Sequence, residues 1–286
     1  MSVGRSTPRI DGLAKVTGQA KFTGDLGFTG LLEAKVLRSA LPHAVIEAID
    51  VSKALALPGV VAVLSRNDLH DIDPFYGNCL RDRAVVAIDR VRFVGEPVAV
   101  VAAEDGLTAE EALALIDVSY NELPCIADID AALAEGAPRL HESQSGTGEF
   151  HDVAGVGETF GGNICHCERF TKGNPDKAFA QAEKVIEETF TFPMIYQYAM
   201  EPHSAVAQVT ADGIHLWSAS AHPFLVRSEL AHMFGYSQAQ VEVIVPYVGG
   251  AYGSSPTSRS NRWLLPWRAR PAAVQCGSFN PFPSPC

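Results

Sequence analysis

The run Pro97-Val98-Ala99-Val100-Val101-Ala102 decides the fold class of this chain. It contains no polar side chain and three β-branched residues, and turn residues bound it, which is the pattern of a strand buried on both faces. A similar run, Val60-Val61-Ala62-Val63-Leu64, precedes it. A helix is predicted to follow at Thr108, because Thr108 and Glu111 have the spacing of a capping box. This alternation of strands and helices indicates an α/β fold.

The pattern continues on both sides of a glycine-rich stretch. Before that stretch, Asp117-Val118-Ser119-Tyr120 is predicted to be a strand. After it, Asn174 and Pro175 are a typical helix start, and a face of Phe179, Ala182, Val185 and Ile186 follows at helical spacing. The remaining predictions are strands at 204–210, 214–219 and 241–245, and a helix at 226–234 that stops at Gly235.

We therefore divide the chain into segments. They are an N-terminal extension (1–17), a first α/β domain (18–125), a glycine-rich connection (126–167), the start of a second α/β domain (168–254) and an aberrant tail (255–286). One continuous doubly wound sheet through both α/β segments would contradict this division.

Composition excludes several function classes. The formal net charge of −11 argues against nucleic acid, whose phosphates require a basic face. The N-terminus has no apolar core of a signal peptide, and the apolar runs are far shorter than a membrane span, so we expect a cytoplasmic protein. Cys165-His166-Cys167 lacks a second ligand pair, so we assign no protein-ligated metal.

Four motifs resemble the large subunit of molybdenum hydroxylases of the xanthine dehydrogenase and aldehyde oxidase type, and the resemblance covers residues 3–254. The first motif is Val3-Gly4-Arg5-Ser6-Thr7-Pro8-Arg9-Ile10-Asp11-Gly12 with its continuation to Gly18, and the second is Val91-Arg92-Phe93-Val94-Gly95-Glu96-Pro97 with its continuation to Ala102. The third is Ala199-Met200-Glu201-Pro202-His203, and the fourth is Val248-Gly249-Gly250-Ala251-Tyr252-Gly253. Their order along the chain is that of the family. The resemblance implies a hammerhead α/β domain followed by an incomplete molybdopterin-binding domain, and a truncated subunit.

The resemblance also implies a chemistry. Such enzymes insert a water-derived oxygen at an electron-poor carbon of an aldehyde or an N-heterocycle. They use a molybdenum-pterin cofactor, and iron–sulfur and FAD groups, often on partner subunits, take the electrons. We expect this chain to be inactive alone and to retain little cofactor. The alternative is a non-catalytic α/β assembly fragment without cofactor.

Candidate cofactor-binding residues are carried over from the glycine loop only: Gly249, Gly250, Ala251, Tyr252 and Gly253. Glycine is required where a backbone passes close to a ligand, and Tyr252 occupies the place of an aromatic residue near the metal.

The sequence departs from the family elsewhere. Ala221 stands where a glutamine contacts the metal's oxo group, and Ser255 stands where a lysine follows the loop. The family's catalytic glutamate has no counterpart, so we assign no catalytic residue. Glu158, in Gly155-Val156-Gly157-Glu158, mimics that glutamate but is interpreted as a solvated loop carboxylate.

Other interpretations of the same residues are weaker. The glycine loop could bind a dinucleotide, but Val248 occupies the place of the first glycine of G-x-G-x-x-G. Glu201 and His203 could form an acid–base pair, although a structural carboxylate beside Pro202 is the better interpretation. Arg81-Asp82-Arg83 is interpreted as a solvated charge run.

The tail, residues 255–286, has no acidic residue, six prolines and two of the three tryptophans. We predict that it is translated out of frame and carries no packed secondary structure. If one A were lost from an AAG codon after Ser254, the codons AGC-CCT-ACG-TCA-AGA-TCG-AAC-CGA-TGG would restore to Lys-Pro-Tyr-Val-Lys-Ile-Glu-Pro-Met. That stretch returns the lysine the family expects. The nucleotide sequence near codon 255 tests this.

Overall fold

The structure is a computed structural model, and it describes residues 3–77, 81–141, 162–164, 170–193 and 195–252, together with the backbone of 274–277. Several sequence predictions therefore lie wholly or mostly outside the described residues: the Glu158 loop, the Cys165-His166-Cys167 cluster, Gly253, Ser255 and the tail 255–286 apart from 274–277. None of the helices in the described part of the chain combines the length and apolar character that a membrane crossing requires.

Helices and strands alternate along the described chain. The helices are α1 (Gly12–Val16), α2 (Ser52–Leu55), α3 (Gly106–Ala114), α4 (Ile129–Leu133), α5 (Pro175–Gln181) and α6 (Pro223–Phe234). The strands are β1 (Leu32–Arg38), β2 (Ala44–Asp50), β3 (Val60–Leu64), β4 (Phe75–Tyr76), β5 (Arg83–Ala84), β6 (Arg90–Val91), β7 (Pro97–Ala103), β8 (Asp117–Glu122), β9 (Ser204–Thr210), β10 (Gly213–Ser218), β11 (Val241–Ile244) and β12 (Val274–Gly277).

Strand β7 is the centre of the first segment, as its apolar run predicts. All seven of its residues are buried, and it pairs antiparallel with β1 on one side and β3 on the other. Helix α3 covers one face of these strands through Ala109 and Ala112, both fully buried. A second sheet, in the order β6-β2-β8, packs its apolar residues in a separate cluster around Ile46 and Val91.

One seven-stranded sheet runs through both α/β segments, in the order β11-β10-β9-β12-β1-β7-β3. It is not doubly wound, because four of its six strand pairings are antiparallel. The mixed α/β class is therefore confirmed, but the sheets of the two segments are joined rather than separate.

Strand β12 makes this joint, and it corrects the expectation that the tail carries no packed secondary structure. Its four residues pair parallel to β1 and antiparallel to β9. A strand ladder uses main-chain groups, which every residue except proline offers, so a short extended segment of almost any sequence can satisfy the facing edges of β1 and β9. The reading frame of 255–286 stays a prediction.

Helix α3 begins earlier than the sequence suggested. Its N-cap is Asp105, whose carboxylate accepts hydrogen bonds from the amides of Leu107 and Thr108, each at 2.9 Å. The prediction of a cap at Thr108 is wrong, since the Thr108 hydroxyl instead donates to Asp105 at 2.8 Å. An aspartate that bonds two free amides caps at least as well as a threonine, so the helix begins about one turn earlier.

Helix α5 confirms its predicted start but not its predicted face. The side chain of Asn174 accepts from the amide of Lys177, and Pro175 occupies the first turn. The helix ends at Gln181, and Phe179, Val185 and Ile186 are 64%, 55% and 72% exposed. A short amphipathic helix is stable mainly through burial of its apolar face, and the described residues leave this face uncovered.

The interpretation of Arg81-Asp82-Arg83 as a solvated charge run is wrong at Arg81. Arg81 is buried, and its guanidinium donates to the carboxylate of Asp73 at 2.9 Å and to the carbonyl of Phe75 at 2.7 Å. The same Asp73 oxygen lies 3.1 Å from Nε2 of His232 on α6, and the Asp73 amide donates to the Met233 carbonyl at 3.0 Å. Arg81 thus helps to fix the loop at Asp73, which forms hydrogen bonds with α6.

Candidate functional site

The glycine loop borders a cavity of about 760 Å³ at the end of β11. Gly249, Gly250 and Tyr252 line it, Ala251 lies between them in sequence, and Gly253 is outside the described residues. The remaining wall comes from the chain's first residues and from the 200–204 segment: Arg9, Lys15, Phe22, Gly24, Asp25, Met200, Glu201, Pro202, His203, Ser204 and Val248. The volume lies in the usual range for a small-molecule site.

Glycine is required at two positions of this loop, for different reasons. A Cβ at Gly249 would collide with the Cβ of Glu201, so the backbone of the loop packs directly against the side chain of Glu201. Gly250 has φ of +135°, and a Cβ there would lie 2.6 Å from the Tyr252 ring. Tyr252 itself adopts φ of +48°, and its side chain is exposed. Left-handed backbone at a non-glycine residue is a strain typical of functional loops.

Glu201 is the carboxylate that contacts the loop. The amide of Gly249 donates to Glu201 Oε2 at 2.6 Å. Burial raises the pKa of Glu201 above the usual value for a glutamate. The hydrogen bond from the Gly249 amide acts to lower this pKa, and the nearby charge of Asp25 acts to raise it. Lys15 and the Thr23 amide also act to lower it. Oε1 is buried and accepts no hydrogen bond of ordinary geometry from the described residues. Sequence reasoning placed Glu201 beside Pro202 but did not connect it to the loop.

The chain's first residues form the opposite wall. The Lys15 ammonium lies 2.8 Å from the Asp11 carboxylate and 5.8 Å from the centroid of the Tyr247 ring. Phe22 packs against the same ring, with centroids 5.8 Å apart. These contacts place the N-terminal segment against the chain just before the glycine loop. Sequence analysis identified this segment only as a motif, since no periodicity predicts where it packs.

The other sequence candidates add little chemistry. Ala221 is exposed and offers no side-chain donor where the family glutamine would stand. His203 lines the same cavity as Glu201, and the pairing of these two residues as acid and base stays a hypothesis. Among the described residues, no group of three or more His, Cys, Asp or Glu side chains could hold a metal ion.

Two family models match the chain. A family model described as aldehyde oxidase and xanthine dehydrogenase, a/b hammerhead domain, matches residues 17–124, and a molybdopterin cofactor-binding domain model matches residues 156–271. The chain belongs to the xanthine dehydrogenase and aldehyde oxidase family of molybdenum hydroxylases. A hammerhead domain is followed by part of a molybdopterin-binding domain. The second match extends beyond Ser254, where we expected the family pattern to stop.

Individual relatives give the same result. The chain is 36% identical over 249 residues to a probable xanthine dehydrogenase subunit of Bacillus subtilis (strain 168), covering 87% of this chain and 31% of that protein. It is 32% identical to the nicotinate dehydrogenase large molybdopterin subunit of Eubacterium barkeri, covering 88% and 55%. Quinoline 2-oxidoreductase from Pseudomonas putida 86 superposes with a TM-score of 0.82 at 30% identity, covering 97% and 35%. The chain thus spans between about a third and about half of these relatives' lengths.

Proposed function

We propose that this chain supplies one wall of the molybdenum-cofactor site of a hydroxylase that oxidises an aldehyde or an N-heterocycle with water-derived oxygen. The observation that carries the proposal is the glycine loop, whose backbone at Gly249 and Gly250 borders a cavity of about 760 Å³. A cofactor whose own dithiolene holds the metal needs backbone donors and close approach rather than protein ligands. The absence of a ligand cluster among the described residues fits such a group.

The residues present fit this cofactor as a wall and not as a complete site. Gly249, Gly250, Ala251 and Tyr252 are the proposed cofactor-contacting residues, with Gly253 next in sequence. When bound, the cofactor supplies the redox chemistry of oxygen insertion. The protein residues orient it, exclude water and would have to supply a base for the proton. The carboxylates that line the described cavity are Asp25 and Glu201, and Glu201 already accepts a hydrogen bond from the Gly249 amide.

The proposal also includes partner subunits and the inactivity of the chain on its own. Oxygen insertion releases electrons, so we propose iron–sulfur and flavin groups on partner subunits as their acceptors. By itself the 286-residue chain is proposed to hold little cofactor and to hydroxylate nothing, because the catalytic glutamate of the family, which takes the proton, has no counterpart in it. Its uncovered apolar side chains, such as Phe190 and Phe192 at 81% and 86% exposure, should make it prone to aggregation.

Metal and pterin analysis of the purified chain tests this limit. The chain would be produced in cells that make the molybdenum cofactor, and molybdenum would be quantified per chain alongside turnover of aldehydes and N-heterocycles. We expect molybdenum well below one atom per chain and no turnover. Stoichiometric molybdenum, or oxidation of any of these substrates by the pure chain, would overturn the claim of inactivity.

A further inference from the structure

We propose that Glu201 is the positioning residue of the glycine loop: it holds residues 248–252 in place and couples them to the N-terminal segment 11–25. The inference rests on the proposed function only in taking this loop as a wall of the cofactor site. The role of Glu201 itself is a property of this chain and can be measured without cofactor.

A hydrogen bond connects the glycine loop to Glu201. Strand β11 ends at Ile244, so the glycine loop that follows lies outside the ladder. Backbone amides that are shielded from water need a partner. The Gly249 amide takes its partner from a side chain 48 residues away, at 2.6 Å, and a hydrogen bond to a carboxylate is stronger than one between neutral groups.

Glu201 and Gly249 also fit each other in shape. Glu201 precedes Pro202, whose ring restricts the backbone of the preceding residue to extended conformations. The carboxylate therefore projects from a stiff segment rather than from a flexible one. Gly249 packs closely against the Glu201 side chain, because only a residue without a Cβ fits against the Cβ of Glu201. Loop and carboxylate are thus complementary in shape as well as in hydrogen bonding.

Residues of the N-terminal segment also lie close to Glu201. The charged groups that face it are Asp25, in the turn Thr23–Asp25, and Lys15 on α1, and the amide of Thr23 lies close to it. Two hydroxyl oxygens nearby, Thr23 Oγ1 and Ser204 Oγ, are buried without a hydrogen-bond partner among the described residues. Such groups are normally bridged by ordered water. Glu201 therefore stands between the N-terminal segment and the loop.

Amide hydrogen exchange of the full 286-residue chain, followed by mass spectrometry of peptides that cover 245–252, tests the proposal. Four variants are compared with the unsubstituted chain. Glu201→Ala removes the acceptor, Glu201→Leu fills the same space without an acceptor, and Glu201→Gln keeps an acceptor oxygen without the charge. Glu242→Ala is the matched control, since Glu242 is an exposed carboxylate on β11 whose partner is His215, at 2.7 Å.

We expect exchange at Gly249 to accelerate by about tenfold to about a hundredfold in Glu201→Ala and Glu201→Leu, the range expected for loss of a hydrogen bond to a charged group. Glu201→Gln should stay within about threefold of the unsubstituted chain, because its amide oxygen still accepts. Glu242→Ala and the peptides of β7 should not change. Rescue by glutamine distinguishes positioning from simple filling of space.

Three results would overturn the proposal. They are unchanged loop exchange in Glu201→Ala and Glu201→Leu, equally fast exchange in Glu201→Gln, and acceleration in β7 as large as in the loop in both variants without an acceptor. None of these depends on molybdenum. Failure of this test therefore leaves the proposed function standing, and failure of the proposed function leaves this result standing.

Discussion

Substitution of Gly249 by alanine is the sharpest test of the packing at the glycine loop. The new Cβ would collide with the Cβ of Glu201, which lies on a backbone stiffened by Pro202 and cannot rotate away. Overpacking of this kind costs about 1–3 kcal/mol. For a chain of this size, each kcal/mol lowers the melting temperature by about 2–4 °C. The expected decrease for Gly249→Ala is therefore about 2–12 °C.

Thermal unfolding followed by far-ultraviolet circular dichroism measures this decrease. Gly27→Ala is the control, because a Cβ at Gly27 meets no atom within 4 Å. This control should leave the melting temperature unchanged or raise it slightly, since alanine lowers the entropy of the unfolded chain. A Gly249→Ala chain that melts within about 1 °C of the Gly27→Ala chain, a margin of about 0.3 kcal/mol, would refute the contact between the loop and Glu201.

Three further predictions concern the same chain. Asp105→Ala should lower the free energy of unfolding by about 1 kcal/mol, because two amides of α3 lose their cap, and urea unfolding measures it. Burial raises the pKa of Glu201, so the folded chain binds the Glu201 proton more tightly than the unfolded chain does. The resulting contribution to the free energy of unfolding is fully present below the usual glutamate pKa and is lost as the pH rises through the raised pKa. The melting temperature of Glu201→Gln relative to the unsubstituted chain should therefore increase with pH, and a constant difference would contradict this. Replacement of Phe190 and Phe192 by serine should increase the soluble fraction after centrifugation, whereas Lys184→Ser should not.

The sequence predicts the fold best where burial follows a simple pattern. The apolar runs of β3 and β7 were both predicted to be strands, and both predictions are confirmed. Strand β7 is buried on both faces, which explains its continuous apolar sequence. Strand β3 lies at the edge of the sheet, and only Val63 and Leu64 of its five residues are buried. Strand β2, by contrast, was not predicted. Its residues Ala44–Asp50 mix buried and exposed positions without strict alternation, and its ladder has a register shift near Ile46. A bulge of this kind breaks the two-residue period on which strand prediction depends.

The site was predictable only in part. Glycines in a loop after a strand predicted close approach to a cofactor, and that stays a prediction. The structure shows instead that Gly249 and Gly250 pack closely against the protein's own side chains, Glu201 and Tyr252. What sequence reasoning missed was the partner in that approach, Glu201, because no periodicity links residues 48 positions apart. The N-terminal wall was missed for the same reason, although the charges at Asp11 and Lys15 were visible in the sequence.

A chimera tests the central claim, that this chain is a wall of a molybdenum-cofactor site, most directly. Residues 3–252 would replace the corresponding part of the nicotinate dehydrogenase large molybdopterin subunit of Eubacterium barkeri, and molybdenum per assembled complex would be measured. We predict near-stoichiometric molybdenum in the chimera, and a marked loss when Gly250→Val places a side chain in the loop. An assembled chimera that contains no molybdenum, or one that retains it fully with valine at 250, would contradict the claim.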